Sequence, residues 1–147
     1  MTDSLRIIPL GGLGEVGKNM TVFELGDERI VVDAGLAFPR DEHFGVDLVL
    51  PDFSYLVGRP VRAIVLTHAH EDHVGGLPYV LPDFPGVPIY ASTLARGLLG
   101  NKIKEHKLHN NPLLALEPGD EVTIGPFTVV PFRVGHSIPD AMGIALR

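Results

Sequence analysis

The sequence of 147 residues is long enough for one domain with a hydrophobic core, since 45% of its residues are hydrophobic. It contains no cysteine, which excludes disulfide bonds, thiolate zinc sites and cysteine nucleophiles, so any metal must be held by histidine and carboxylate side chains. The formal net charge of -6 argues against a general nucleic-acid-binding surface, although it is compatible with a local basic groove.

The start of the chain, MTDSLRIIPL, lacks the basic region and the long apolar run of a secretion signal. No run of about 18 apolar residues occurs in the sequence, so no membrane-spanning helix is predicted. We therefore expect a soluble protein located in the cytoplasm.

The first predicted strand, residues 5–10, leads into a glycine-rich loop, GGLGEVGKN (residues 11–19), that satisfies two nucleotide-binding patterns. Its glycines match the GxGxxG of dinucleotide-binding proteins, and the same residues match the GxxxxGK of a phosphate loop. Both patterns require a helix directly afterwards, because the amides at its N-terminus bind the phosphates.

The residues after this loop favour a hairpin. Residues 20–25 and 29–33 have strand composition, and Gly26-Asp27 between them is a turn signal. Asn19 also stands where a phosphate loop needs serine or threonine. Asp33 keeps the dinucleotide alternative open, because a ribose-binding acid is expected about 20 residues after the glycines.

The rest of the sequence predicts strands interspersed with helices, and it contains no repeat. In chain order, the predicted elements are an irregular stretch (36–58), a strand (61–67), a short helix ending near Pro82, a strand (87–92), a helix (93–106), and strands at 121–125, 127–135 and 141–147. Ser92 has the side chain of an N-cap for the longer helix.

Four potential metal ligands follow the strand at 61–67 directly, in THAHEDHVGG: His68, His70, Asp72 and His73. Neutral imidazoles with a carboxylate suit zinc or manganese. His68 and His70 are two residues apart in an extended segment and can project to the same side, whereas Asp72 and His73 enter the next turn and can bind a second ion. The alternative, a solvated polar loop, rarely collects four such side chains.

His136 ends another apolar strand, within VGHSIPDA, and we predict it to be the third ligand of the ion at His68 and His70. The remaining histidines, His43, His106 and His109, lack ligand spacing and are expected at the surface.

The segment HAHEDH resembles the HxHxDH signature of the metallo-β-lactamase superfamily. Together with GGLGEVGKNM, GVDLVLPDFSYL and VGHSIPDA, it is similar to the ribonuclease J family of β-CASP nucleases over nearly the whole chain. The resemblance implies an α/β fold with mixed α+β content: the αββα sandwich, with mixed β-sheets and a metal site at the sheet edge. It also implies that Asp33 supports the ligands from behind, and that the glycine-rich loop is a turn beside the active site.

The function implied by the resemblance is hydrolysis of RNA phosphodiester bonds, as a 5′–3′ exonuclease and as an endonuclease in RNA processing and decay. It implies two divalent ions, zinc before manganese or magnesium, and a catalytic role for Asp72. The implied partners are single-stranded, 5′-monophosphorylated RNA and further copies of the same protein. Two alternatives stay open: a small-molecule hydrolase acting on a thioester or lactone, and a non-catalytic scaffold subunit of an RNA-processing complex.

The resemblance further indicates that residues 1–147 are the N-terminal portion of a metallo-β-lactamase domain, without β-CASP and C-terminal regions. It calls for a bridging carboxylate and another histidine after His136, where the only acid is Asp140. We therefore expect this chain alone to show no significant RNA cleavage, and to self-associate through an uncovered apolar face.

Overall fold

The computed structural model describes residues 4–108 and 110–147, which form two facing β-sheets with helices on one side. The elements are β1 (Leu5–Gly11), β2 (Met20–Leu25), β3 (Glu28–Val32), β4 (Ala63–Val65), α1 (Glu71–Val74), α2 (Leu77–Val80), β5 (Ile89–Ala91), α3 (Thr93–Glu105), β6 (Leu113–Ala115), β7 (Val122–Ile124), β8 (Phe127–Arg133) and β9 (Met142–Leu146). Two short 3₁₀ helices span Ser54–Leu56 and Leu81–Asp83. The expectation for His109 falls outside the described residues.

The larger sheet is mixed and has the strand order β1-β2-β3-β4-β5-β6. Its first three strands are antiparallel neighbours, and β3 to β6 are parallel. The smaller sheet, β7-β8-β9, is antiparallel throughout. The mixed α/β class predicted from the sequence is therefore confirmed.

The predicted hairpin after the glycine-rich loop is also confirmed. Strands β2 and β3 pair in register from Thr21 opposite Val32 to Leu25 opposite Glu28. Gly26 in the turn has φ of +57°, a conformation that glycine adopts without steric cost. The chain therefore continues from the glycine-rich loop into a strand, and no helix N-terminus lies there to receive a phosphate.

Two hydrophobic cores lie on opposite faces of the larger sheet. Val31 and Ile64 belong to the core that contains the helices, whereas Ile30 and Val65 belong to the core between the two sheets. Neighbouring residues point to different cores because side chains alternate along a strand. Burial on both faces explains why these strands read as continuous apolar runs in the sequence.

Some predicted element boundaries were wrong. The strands at 61–67 and 87–92 are shorter than expected, and β6, which pairs with β5, was not predicted. Three residues are too few to produce a recognisable alternation. The predicted short helix is divided into α1 and α2, which are separated by Gly75 and Gly76.

Every helix in residues 4–108 and 110–147 is too short or too polar to cross a membrane.

We expect no nucleotide to bind the glycine-rich loop, because β2 follows it where a helix would be needed. Calorimetric titration with ATP, GTP or NAD should give no heat of binding. Micromolar affinity that disappears in Lys18→Ala, but persists in the control Lys104→Ala on the exposed face of α3, would contradict this prediction.

Candidate metal centre

Three histidines meet where the two sheets come together. The His68 Nε2, His70 Nδ1 and His136 Nε2 atoms form a triangle with every side 3.1 Å long. His68 and His70 follow β4, whereas His136 follows β8 in the other sheet. We refer to these three residues as the histidine triangle; His68 is buried, His70 half-buried and His136 exposed.

A backbone hydrogen bond joins the two sheets beside the histidine triangle. Met142, the first residue of β9, donates its N–H to the Thr67 carbonyl over 2.9 Å. Thr67 directly precedes residues 68–73, which we refer to as the ligand loop, so this bond fixes the ligand loop of the larger sheet against the smaller sheet. Val134, two residues before His136, is tied in turn to the Ala141 carbonyl over 3.2 Å.

The spacing of the histidine triangle fits a divalent cation. A ring N–H points in one fixed direction, so three nitrogens that converge on one point cannot all be paired by hydrogen bonds among themselves. Nitrogen ligands about 2.0–2.1 Å from a tetrahedral zinc ion are separated by about 3.3 Å. The separation of 3.1 Å is close to that value.

The protonation of His68 favours metal binding. Burial, together with the neighbouring imidazoles of His73, His136 and His70, lowers the pKa of His68 to about 4. Thr67 Oγ1 lies 2.8 Å from Asp33 Oδ2 and 2.9 Å from His68 Nδ1. Because the hydroxyl donates to the carboxylate, it accepts from the Nδ1–H. The lone pair of His68 is therefore on Nε2, which faces the triangle.

Asp72 and His73 form a second group of donors next to the triangle. The His73 Nδ1–H donates to Asp33 Oδ2 over 2.7 Å, which leaves a lone pair on Nε2. That Nε2 lies 3.4 Å from Asp72 Oδ2. Burial alone lowers the pKa of His73, but the hydrogen bond that His73 donates to Asp33 and the charges of Asp33 and Asp72 outweigh it, so the pKa is raised.

Asp33 is connected by hydrogen bonds to a histidine of each donor group, at the Nδ1 atom of the ring and away from Nε2. Its buried carboxylate accepts hydrogen bonds from the Thr67 backbone N–H over 2.8 Å, from the Thr67 hydroxyl and from His73. Its φ of +63° is uncommon for a residue other than glycine, and such conformations persist where the surrounding contacts fix them. The structure thus places Asp33 where it orients His73 directly and His68 through Thr67.

Two residues of this centre were not predicted from the sequence. Thr67 was read as the end of a strand, although a hydroxyl directly before a ligand is a usable signal. Asn19 was read only as a mismatch to the phosphate loop, whereas its side-chain amide lies 3.2 Å from Asp72 Oδ2 and 3.3 Å from His73 Nε2. The other described histidines, His43 and His106, are exposed and lie outside the triangle.

A cavity of about 350 Å³ lies against these donors. Asp33, Thr67, His68 and His73 form one side of it, and residues 134–136 and 141–142 form the other. The space beside the donors is therefore bounded by both sheets.

Comparison with known proteins agrees with this architecture. The family model of the Metallo-beta-lactamase superfamily matches residues 13–142. The metallo-beta-lactamase fold protein YhfI from Bacillus subtilis superposes with a TM-score of 0.68 at 20% identity, covering 99% of this chain and 59% of that protein.

Two curated relatives are similar in sequence. Ribonuclease J of Thermus thermophilus is 47% identical, over 99% of this chain and 27% of the relative. Ribonuclease J 1 of Streptococcus pyogenes is 43% identical, over 99% of this chain and 26% of the relative. The chain thus spans about a quarter of the length of these relatives. The resemblance inferred from the motifs is confirmed, and the chain belongs to the metallo-beta-lactamase superfamily.

Proposed function

We propose that the protein is a metal-dependent ribonuclease that hydrolyses RNA phosphodiester bonds, both from the 5′ end and internally. The observation that carries the proposal is the histidine triangle, because it presents three imidazole nitrogens to one point at the edge of the sheets. The substrate class comes from relatives named Ribonuclease J, which are 43% and 47% identical to the chain.

The protein would hold two divalent ions, zinc in preference to manganese or magnesium. The histidine triangle would hold the ion at the first metal position, and Asp72 with His73 would hold the ion at the second. When bound, a pair of such ions lowers the pKa of water toward about 7 and neutralises phosphate oxygens during in-line displacement. Imidazole suits zinc, and the carboxylate at the second position also suits manganese and magnesium.

The side chains of this chain have distinct tasks in the proposed reaction. Asp72 is the catalytic residue: its carboxylate accepts a hydrogen bond from the attacking water and orients it toward phosphorus. Asp33 and Thr67 keep the imidazoles in the tautomers that direct Nε2 into the site.

A second cavity, of about 450 Å³, supports a single-stranded substrate. Its lining includes Lys18, Arg40 and the exposed ring of Phe38, and cations next to aromatic faces are the usual surface for unpaired nucleotides. Glu15 offsets part of the charge, because it pairs with Lys18 over 3.1 Å. Lys18 in the lining of this cavity directly precedes Asn19, which contacts Asp72.

The finer features of the substrate and assembly rest on the resemblance. We propose 5′-monophosphorylated RNA as the preferred substrate, a cytoplasmic location and a homo-oligomer. Leu5 and Ile7 are 52% and 60% exposed on the edge strand β1, which is compatible with association. The thioester or lactone hydrolase and the non-catalytic scaffold are not favoured, because the relatives are named as ribonucleases and all five predicted ligands lie in the two donor groups.

The test is an RNA cleavage assay on the longest natural form of this protein. We expect cleavage of 5′-monophosphorylated RNA with zinc or manganese, complete loss after treatment with a chelator, and recovery when metal is restored. The same RNA with a 5′-triphosphate should be degraded more slowly from its end. Hydrolysis of a thioester or lactone by the metal-loaded protein, without cleavage of either RNA, would show that the proposed function is wrong.

A further inference from the structure

We propose that Asn19 is a positioning residue for the second metal position, and that the glycine-rich loop places it there. The inference rests on the proposed metal-dependent function, but its test measures metal binding and needs no RNA. It assigns the glycine-rich loop a role in metal binding.

Asn19 is bonded to the ligand loop through its backbone and its side chain. Its backbone N–H and its side-chain amide both donate to the Asp72 carbonyl, each over 3.0 Å. Its own carbonyl accepts from the Gly35 N–H over 2.9 Å. Asn19 therefore joins the glycine-rich loop, the segment after β3 and the segment before α1 at one point.

The Asn19 amide also lies between the two side chains of the second metal position. Asp72 Oδ2 is an acceptor, and so is Nε2 of the neutral His73 imidazole, because the single N–H of that ring is on Nδ1 and is donated to Asp33. The two acceptors, 3.4 Å apart, each lie within 3.3 Å of the Asn19 amide nitrogen. A neutral donor next to these two side chains adds no positive charge that would repel a metal ion. Because His73 Nε2 has a single lone pair, the bonds that Asn19 keeps when that nitrogen binds a metal ion are those to Asp72.

Glycines make room for this arrangement. A Cβ atom on Gly12 would lie 2.5 Å from Asn19 Oδ1, and one on Gly11 would lie 2.2 Å from the Lys18 carbonyl oxygen. Contacts that close do not occur without a shift of the chain. Of the three glycines that match the nucleotide-binding pattern, Gly12 therefore permits the close approach to Asn19, whereas Gly17 is packed against Ala37 and Gly14 has nothing within 4 Å of an added Cβ.

The test is to measure zinc affinity at each metal position in the longest natural form of the protein, by competition with chelators of graded strength and by metal analysis. His70→Ala identifies the first position and Asp72→Ala the second. In Asn19→Ala we expect about 10–100-fold weaker binding at the second position, the range typical for residues that support ligands. Affinity at the first position should not change.

Two matched pairs of variants distinguish a positioning role from a general loss of structure: Asn19→Ala with Asn111→Ala, and Gly12→Ala with Gly14→Ala. Asn111→Ala removes another amide that bonds backbone carbonyls, those of Phe84 and Val87, and should leave both metal affinities unchanged. Gly12→Ala should weaken the second position, because the new methyl group displaces the Asn19 side chain. Gly14→Ala also has positive φ, but its Cβ meets nothing within 4 Å, so it should weaken neither position.

Selective weakening of the second position in Asn19→Ala and Gly12→Ala supports the inference, whether or not the protein cleaves RNA. Three results would overturn it: unchanged affinities in both variants, equal weakening of both positions, or a parent protein with only one class of metal site. If only the proposed function is wrong, the result is different: the protein binds metal at two positions, the second of which depends on Asn19, but it does not cleave RNA.

Discussion

Replacing His70 with alanine should empty the first metal position and lower RNA cleavage by more than about 100-fold, beyond the range for residues that only support ligands. The Nδ1 atom of His70 is one corner of the histidine triangle, 3.1 Å from both other nitrogens. Without it, only His68 and His136 remain at that position, and two imidazoles bind zinc far more weakly than three.

The same change should leave the chain folded. His70 is the N-cap residue of α1, yet its side chain makes no capping hydrogen bond, and it is half-buried. We expect the thermal unfolding temperature of the metal-free variant to match that of the parent. His106→Ala, an exposed histidine after α3, is the control and should retain full zinc content and cleavage. Parent-like turnover in His70→Ala would show that the triangle is not the catalytic centre.

The proximity of the four predicted ligands could be foreseen because their signal is local. His68, His70, Asp72 and His73 lie within six residues after an apolar strand, so chain connectivity alone brings them close together. The hairpin was predictable for the same reason, since its turn residues and both strands are consecutive. Predicting that His136 lies near His68 and His70 required one further assumption, that the ends of two strands lie at the same sheet edge.

The role of Asn19 could not be predicted from its neighbours. It contacts Asp72, which is 53 positions away, and the contact depends on how three separate segments cross. A glycine-rich sequence is equally compatible with a loop that binds phosphate and a loop that approaches backbone closely. Only the helix or strand that follows distinguishes the two, and the partner residues stay hidden until the fold is known.

The conformation of Asp33 was equally inaccessible from the sequence. An acid at the end of a strand is expected in a dinucleotide site and in a metal site, so residue type alone left both readings open. Its positive φ and its bonds to Thr67 and His73 support the proposed role behind the metal ligands. These features arise from tertiary contacts and leave no periodic pattern in the sequence.

Gly35 lies where the glycine-rich loop, the segment after β3 and the segment before α1 meet. Of the substitutions proposed here, Gly35→Ala should lower the stability of the protein most. A Cβ atom there would be 1.7 Å from the Asp72 carbonyl oxygen and 2.9 Å from the Asn19 backbone nitrogen. Both are backbone atoms, which cannot turn away as a side chain can. The segments must separate, and the hydrogen bond from Gly35 to the Asn19 carbonyl is lost with them.

We expect Gly35→Ala to lower the free energy of unfolding by about 3 kcal/mol, at the upper end of the usual cost of overpacking. Denaturant unfolding of the metal-free protein measures this, with Gly97→Ala as the control. Gly97 lies within α3 with nothing within 4 Å of an added Cβ, so alanine there should stabilise the protein by about 0.5–1 kcal/mol. The same chemical change should thus act in opposite directions at the two sites. Equal stability of Gly35→Ala and the parent would mean that the three segments do not cross as closely as the structure shows.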